Sequence, residues 1–499
     1  MKFLPFCSFL LWLCLSPLPA WADENSLVEN EPLSDPLVQS NNEFATKLLR
    51  AITTPQADPK ENLCFSPYSI FSVALAASEG AVGETRSQMR EVLQLPESFN
   101  ASPASFLERI NKQAFQSDDE AKESMLKAEI TKLRKEMEQV DVEIAKEKEA
   151  AHSFSHVTGL KRLGLENELN RRLRQLDGPD CSVANALWLA DEFPASPQYR
   201  ASLARFGVGT FSCDFPNRAA AEATRINDWV SETTKGRIKE LFSPSAITPD
   251  TSLVLTNAVY FRANWLNPFE KKGTRQEEFE LSSGTRVQVP MMVQSLECRY
   301  AAFDANGELF RTPSNLPTDG QESSGYPALG GGQLIELPYS GTDIMMILLL
   351  PRSHDGLQEL CERLTADRIS DWVSGLDERR TNVLIPRFRL ETSYELTSPL
   401  RQMGMPIAFS DAADFSGMTS GNANGVKIGS VVHKSFVEVN EEGTEAAAAT
   451  GMTFQLHSGH AHSSFTPTFN ADHPFLFLIR DSKSGMILFV GRVEHPSQG

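Results

Sequence analysis

Residues 431–475 read VVHKSFVEVNEEGTEAAAATGMTFQLHSGHAHSSFTPTFNADHPF. The first part, Val431 to Val439, is rich in β-branched and aromatic residues and reads as a strand. Glu441, Glu442 and Gly443 end it. Thr444, Glu445, Ala446, Ala447, Ala448, Ala449 and Thr450 follow, and from Thr450 to Thr468 there is no Lys, Arg, Asp or Glu. Taken at period two, the segment separates into two sets. Thr444, Ala446, Ala448, Thr450, Met452, Phe454 and Leu456 are uncharged, small at first and apolar at the end. Glu445, Ala447, Ala449, Gly451, Thr453, Gln455 and His457 hold the charge and the polar side chains. A loop that stays in water needs no such sorting. A loop that becomes a buried strand does, because an unpaired charge on its inner face costs several kcal/mol. A short alanine-rich helix is the competing local reading, since Ala is the best helix former.

Immediately downstream, residues 469–479 read FNADHPFLFLI. These two blocks, in this order, closely resemble the hinge and reactive-centre loop of serpins and the C-terminal signature of that family. Blocks upstream agree. Asn62 to Ile70 (NLCFSPYSI), running into an alanine-rich apolar helix to Ala77, is similar to the start of the family's central helix. Gly83-Glu84-Thr85, with Met89 and Val92-Leu93, looks like the next helix. Val183 to Leu189 (VANALWL) and Leu253 to Arg262 (LVLTNAVYFR) read as strands. Thr224 to Lys235 reads as an amphipathic helix with Ile226, Trp229 and Val230 inward, and it resembles the helix that lies across the family's main sheet. Val289 to Met292 and Val383 to Leu390 match further strands. Ile335 to Pro351 and Lys483 to Arg492 read as hairpins. The resemblance implies an α+β serpin fold, with three β-sheets, about eight or nine helices and an exposed reactive-centre loop. It implies a single domain over residues 41–496, although 499 residues would by length alone suggest about three.

Two stretches depart from the family. Within residues 117–176, Leu126, Ile130, Leu133, Met137, Val140 and Ile144 recur at steps of four and three, with Lys and Glu around them. That spacing is a heptad seam. A second seam carries Leu165, Leu169, Leu173 and Leu176. Together they predict an antiparallel helical hairpin inserted in the domain. Lys161, Arg162, Arg171, Arg172 and Arg174 form a basic cluster on its second arm. It raises a polyanion or an unknown protein as a partner, but a solvated helix face is the weightier reading. Residues 310–332, rich in Pro, Gly and Ser, read as an inserted surface loop.

Met1 to Ala22 reads as a signal peptide, with Lys2, the apolar run Phe3 to Leu15 and a small-x-small site at Ala20-Trp21-Ala22. The expectation is a secreted or periplasmic chain with no membrane span. Asp23 to Ser40 reads as a flexible acidic leader. The formal charge of −18 argues against nucleic acid as a partner. Cys64, Cys181, Cys213, Cys298 and Cys361 remain after the signal, odd in number and widely spaced, so they make neither a disulfide framework nor a metal site.

No catalytic residues and no cofactor emerge: there is no GxSxG elbow, no HExxH and no phosphate-cradling glycine loop. His457, His460 and His462 read as solvated loop residues rather than a metal site. The resemblance instead implies a decoy substrate. A protease cuts the loop and forms an acyl-enzyme, and the loop then enters the main sheet before water releases the protease. Only serine or cysteine proteases form that intermediate. Carried over residue by residue, Glu442, Gly443, Thr444, Glu445, Ala446 to Ala449 and Thr450 are the hinge. Ser66, Ser69, Asn257 and His433 match the polar cluster beneath the sheet opening, and Trp265 matches the aromatic at the point of insertion. The family's register puts the reactive bond at His457-Ser458, with Leu456, Phe454 and Met452 as rivals. The loop holds no Lys or Arg, so chymotrypsin-, elastase-, subtilisin- or cathepsin-like proteases fit better than trypsin-like ones. A non-inhibitory chaperone or carrier, and an adhesion or scaffold protein working through the hairpin, are the alternatives.

Overall fold

The computed structural model describes residues 35–53, 61–96, 120–151, 156–176, 179–310, 331–420, 425–444 and 466–496. Among these, the helices are α1 (Pro36–Ile52), α2 (Pro67–Ser78), α3 (Gly83–Val92), α4 (Glu120–Ala151), α5 (His156–Leu176), α6 (Pro197–Arg205), α7 (Phe215–Thr233), α8 (Leu357–Arg363), α9 (Ala366–Ser374) and α10 (Thr397–Met403). The strands are β1 (Leu63–Phe65), β2 (Asp180–Ala190), β3 (Gly209–Cys213), β4 (Leu253–Asn264), β5 (Arg275–Glu280), β6 (Arg286–Phe303), β7 (Gly332–Pro338), β8 (Ile344–Pro351), β9 (Asp377–Pro386), β10 (Phe388–Glu395), β11 (Ile428–Asn440), β12 (Gly443–Thr444), β13 (Thr468–Asn470), β14 (Phe475–Asp481) and β15 (Ile487–Val493).

A six-stranded sheet in the order β10-β11-β12-β4-β2-β3 carries the site. Period two decides its two faces. Ala184, Ala186, Trp188 and Ala190 of β2 lie in one cluster with Val254, Ala258 and Val432, under Ile226 and Val230 of α7. Leu187 and Leu189 of the same strand point the other way, into the main core with α2. Every residue of α2 is buried, as an apolar helix with no polar stripe requires. Its start is set locally: Ser66 accepts a hydrogen bond from the Ser69 N–H, and Pro67 occupies the first turn. Burying a side chain such as Phe71 or Ile70 stabilises the fold by about 1.5–3 kcal/mol.

The second sheet runs β1-β15-β14-β8-β7-β6-β9-β13, with β5 on β6. Strand β6 is 18 residues long and pairs along its length with β5, β9 and β7. The remaining expected sheets are therefore hydrogen-bonded into one.

Three boundaries differ from the sequence expectation. Helix α1 starts at Pro36, inside the stretch read as a flexible leader, because Asp35 caps it and Leu37 and Val38 are buried. Helix α7 starts at Phe215 rather than Thr224, capped by Asp214. The stretch read as one strand, Val383 to Leu390, is two strands in two sheets: β9 ends at Pro386 and β10 starts at Phe388. Arg387, between them, turns the chain.

Helices α4 and α5 pair antiparallel, as the heptad spacing predicts. Thr158 donates to Glu147 at 2.9 Å, Arg162 meets Asp141 at 2.7 Å and Arg172 meets Glu129 at 3.1 Å, so partners run in opposite directions. Leu126, Ile130 and Val140 are buried in the seam, and Leu165, Leu169, Leu173 and Leu176 are half-buried. The inserted loop falls largely on residues 311–330, outside the described residues, and β7 already begins at Gly332.

Candidate functional site

The site lies where β11 and β4 part. The two strands pair in parallel from Ile428↔Leu253 to Phe436↔Tyr260. Above Phe436 they separate, and β12 stands between them. Thr444 pairs with Val439 on one side and Ala263 on the other; Gly443 pairs with Asn440 and Asn264. Gly443 and Thr444, read from the sequence as part of a hinge, thus pair with a strand on each side.

Its geometry explains the residue types. Gly443 has φ +155°, and a Cβ there would meet the Ala263 carbonyl oxygen at 2.1 Å, so the close approach to β4 requires glycine. Thr444 is fully buried, and its hydroxyl shares a 2.7 Å hydrogen bond with the Tyr339 hydroxyl. Tyr339 stacks on Trp265, with ring centroids 4.6 Å apart and planes at 9°. Trp265 holds the splayed strands from both ends: its backbone N–H donates to the Glu442 carbonyl at 2.8 Å, and its indole N–H donates to the Asn440 carbonyl at 3.0 Å. Glu441 is buried against Arg387, whose Nε donates to Oε1 at 2.8 Å, and it accepts from Thr274. Burial pushes the Glu441 carboxyl up, but the Arg387 and Thr274 bonds outweigh it and hold it below the ordinary carboxylate range. Lys271 pairs with Glu442 at 2.5 Å. A cleft of about 490 Å³ opens beside this corner, and two of its three lining cations, Lys271 and Arg387, are bound to those carboxylates, while the third, Arg389, pairs with Glu391.

Lower in the sheet, the polar cluster assembles around His433, which is fully buried opposite Asn257. Its Nε2 accepts from the Ser66 N–H at 3.1 Å, so Nδ1 carries the proton and donates to Asn257 Oδ1. Asn257 Nδ2 in turn donates to Ser69 Oγ and to Asn185 Oδ1, each at 2.5 Å. Ser66 Oγ donates to the Leu488 carbonyl at 2.7 Å, tying α2 to β15. Burial pushes the His433 ring down to about 3, so it is neutral in the folded chain.

The sheet therefore brings Ser66, Ser69, Asn257 and His433 together, and Trp265 to Gly443 and Thr444. Glu445, Ala446 to Ala449, Thr450 and the reactive-bond residues Met452, Phe454, Leu456, His457 and Ser458 lie outside the described residues. Sequence reasoning missed Asn185, Tyr339 and the Arg387–Glu441 pair. An Asn inside the apolar run VANALWL was the available signal for the first; nothing local marks the other two. On the hairpin, Lys161, Arg162, Arg171 and Arg172 each pair with a carboxylate of α4 or α5. One grouping escaped the sequence reading, which assigned no metal ligands: atoms of His354, Asp472 and His473 converge within 4.8 Å.

A family model described as "Serpin (serine protease inhibitor)" matches residues 39–496. The chain is 33% identical over 466 residues to Serpin B6 of Pongo abelii, covering 93% of this chain and all of that one. It is 37% identical over 327 residues to Serpin B4 of Homo sapiens, covering 65% of this chain and 76% of the relative. The solved structure of native protease nexin-1 with heparin aligns with a TM-score of 0.67 at 25% identity, covering 93% of this chain and 100% of that chain.

Proposed function

Because the chain belongs to the serpin family, we propose that it inhibits serine or cysteine endopeptidases as a suicide substrate. The observation that carries this reading is the hinge. Thr444 is seated between β11 and β4 with its hydroxyl satisfied, and the alanines that follow put no bulk or charge in the way of further insertion.

The protease nucleophile adds to the carbonyl of the scissile bond, the amine leaves, and an acyl-enzyme remains. The freed loop then continues along the path that β12 has begun. Strands β11 and β4 pair in parallel, whereas β12 is antiparallel to both. Each added residue replaces a slanted parallel ladder with antiparallel ladders on two sides, which favours insertion. The attached protease is carried with the loop and distorted before water can release it.

The finer assignments rest on the loop's composition. We place the reactive bond at His457-Ser458, with Leu456, Phe454 and Met452 as rivals. A loop without Lys or Arg supports chymotrypsin-, elastase-, subtilisin- or cathepsin-like targets. Residues 1–22, read as a signal peptide, support export to a secreted or periplasmic location.

The test is incubation with a panel of such proteases. An SDS-stable covalent complex, with mass spectrometry placing the cut in the loop, is the expected result. Clean cleavage with release of active protease would point instead to a non-inhibitory member.

A further inference from the structure

We propose that His354, Asp472 and His473 form a binding site for a divalent transition-metal ion of the zinc type, with water in the fourth position. The residues come from two separate places: His354 lies in the turn after β8, and Asp472 and His473 lie between β13 and β14. Ligand atoms of His354, Asp472 and His473 are within 4.8 Å of one another. For both rings to reach one ion with bonds of about 2.0–2.2 Å, the exposed His354 side chain must turn out of its stack on His473.

Two hydrogen bonds from outside the cluster aim its donors. His473 is buried, and its Nε2 lies 2.7 Å from the Pro351 carbonyl oxygen, which only accepts, so Nε2 carries a proton. In the neutral ring Nδ1 is then the lone-pair nitrogen, and it faces Asp472 Oδ1 at 2.7 Å. Two acceptors at that distance repel unless a proton or a metal ion lies between them. Asn470 Nδ2 donates to Asp472 Oδ2 at 2.8 Å, which leaves Oδ1 toward the ring. A histidine that donates its far N–H to a carbonyl, beside a carboxylate held by its own hydrogen bond, is the arrangement that orients metal ligands.

His354 completes the set. Its ring stacks on His473 with centroids 4.5 Å apart and planes at 18°, and its Nδ1 lies 3.1 Å from Glu280 Oε1. Glu280 also accepts from Arg286 Nε at 3.1 Å, so the unmatched pair of acceptors is His473 Nδ1 and Asp472 Oδ1. One divalent ion satisfies the lone pair of His473, Oδ1 of Asp472 and a nitrogen of His354 together, a nitrogen and oxygen set that suits zinc with a water as its fourth ligand. The ion would clamp the segment between β13 and β14 to the β8–α8 turn. A protonated His473 paired with Asp472 is the competing account, and it entails no dependence on metal.

The test uses the full chain, stripped with a chelator and titrated with Zn²⁺ or Co²⁺ at neutral pH. The expected results are one bound Zn²⁺, a raised melting temperature, and the intense visible absorption of four-coordinate Co²⁺. His354→Ala removes a half-exposed side chain, so the metal-free melting temperature should hold while Zn²⁺ affinity falls tenfold or more; Asn470→Ala, which removes only the bond orienting Asp472, should weaken it about tenfold. Replacing His457, His460 and His462 together by Ala should leave binding intact. The proposal is overturned if the stripped chain binds no Zn²⁺, if His354→Ala binds it unchanged, or if the loop variant abolishes binding.

Discussion

His433 shows how one buried side chain makes the sheet sensitive to pH. Its ring accepts the Ser66 N–H and donates to Asn257, a pattern that only the neutral form can make. The folded chain resists protonation down to about 3, while the unfolded chain takes up that proton near 6.5. Above 6.5 both states are neutral and nothing is lost. Below it only the unfolded state gains the proton, so stability falls by about 1.4 kcal/mol per pH unit until the folded ring also protonates. Denaturant unfolding between pH 7 and 4 should therefore show a slope that His433→Gln reduces; an equal slope in that variant would refute the assignment. Thr444 makes a second case. It is fully buried with its hydroxyl on Tyr339, so Thr444→Arg would put an unpaired charge at the first inserted position. That variant should be cleaved as a substrate and form little or no covalent complex, which gel analysis against a target protease reads directly. Retained inhibition would count against insertion.

At the scale of elements, the hairpin and the hinge differ in how they depend on the rest of the chain. Helices α4 and α5 face each other through their own seam, with Leu126, Ile130 and Val140 buried and ion pairs such as Arg162–Asp141 across it. Such exposed pairs contribute only about 0–1 kcal/mol each, so the seam does most of the holding. Deleting residues 117–176 behind a short linker should leave the melting temperature within a few degrees and inhibition unchanged. Loss of inhibition in a folded deletion variant would move the function to the hairpin. The hinge has no such independence. Two residues long, β12 exists because β11 and β4 separate above Phe436 and offer it hydrogen bonds on both sides. The heptads were legible because a seam repeats within one segment. The β12 strand was not, because its partners lie at Val439 and at Ala263, the second far off in the chain.

For the whole molecule, the main sheet before cleavage is incomplete. Most of the β11–β4 contact is a parallel ladder closed beneath a two-residue wedge. Full insertion would add antiparallel bonds to both neighbours, each contributing about 0.5–1.5 kcal/mol net. Cutting the loop with a non-target protease should therefore raise the melting temperature by about 10 °C or more, as calorimetry would record. No rise on cleavage would mean that the loop stays outside the sheet.

The amino-acid order alone determined the family, the signature blocks, the hairpin and the two-sided sorting of the loop up to Leu456. These are local properties, written in the spacing of neighbouring residues. It also pointed to Ser66, Ser69, Asn257, His433 and Trp265, but only through resemblance. Tertiary structure decided what those residues touch. It added Asn185 to the cluster, set Tyr339 beneath Thr444, buried Glu441 against Arg387, split Val383 to Leu390 between two sheets and gathered His354, Asp472 and His473. Each of these depends on which strands lie side by side after long connections close, and residue spacing carries no record of that. The hinge joins the two kinds of information. Its small, uncharged period-two set is legible in the chain, but that Gly443 and Thr444 pair with strands on both sides is decided by where β11 and β4 separate.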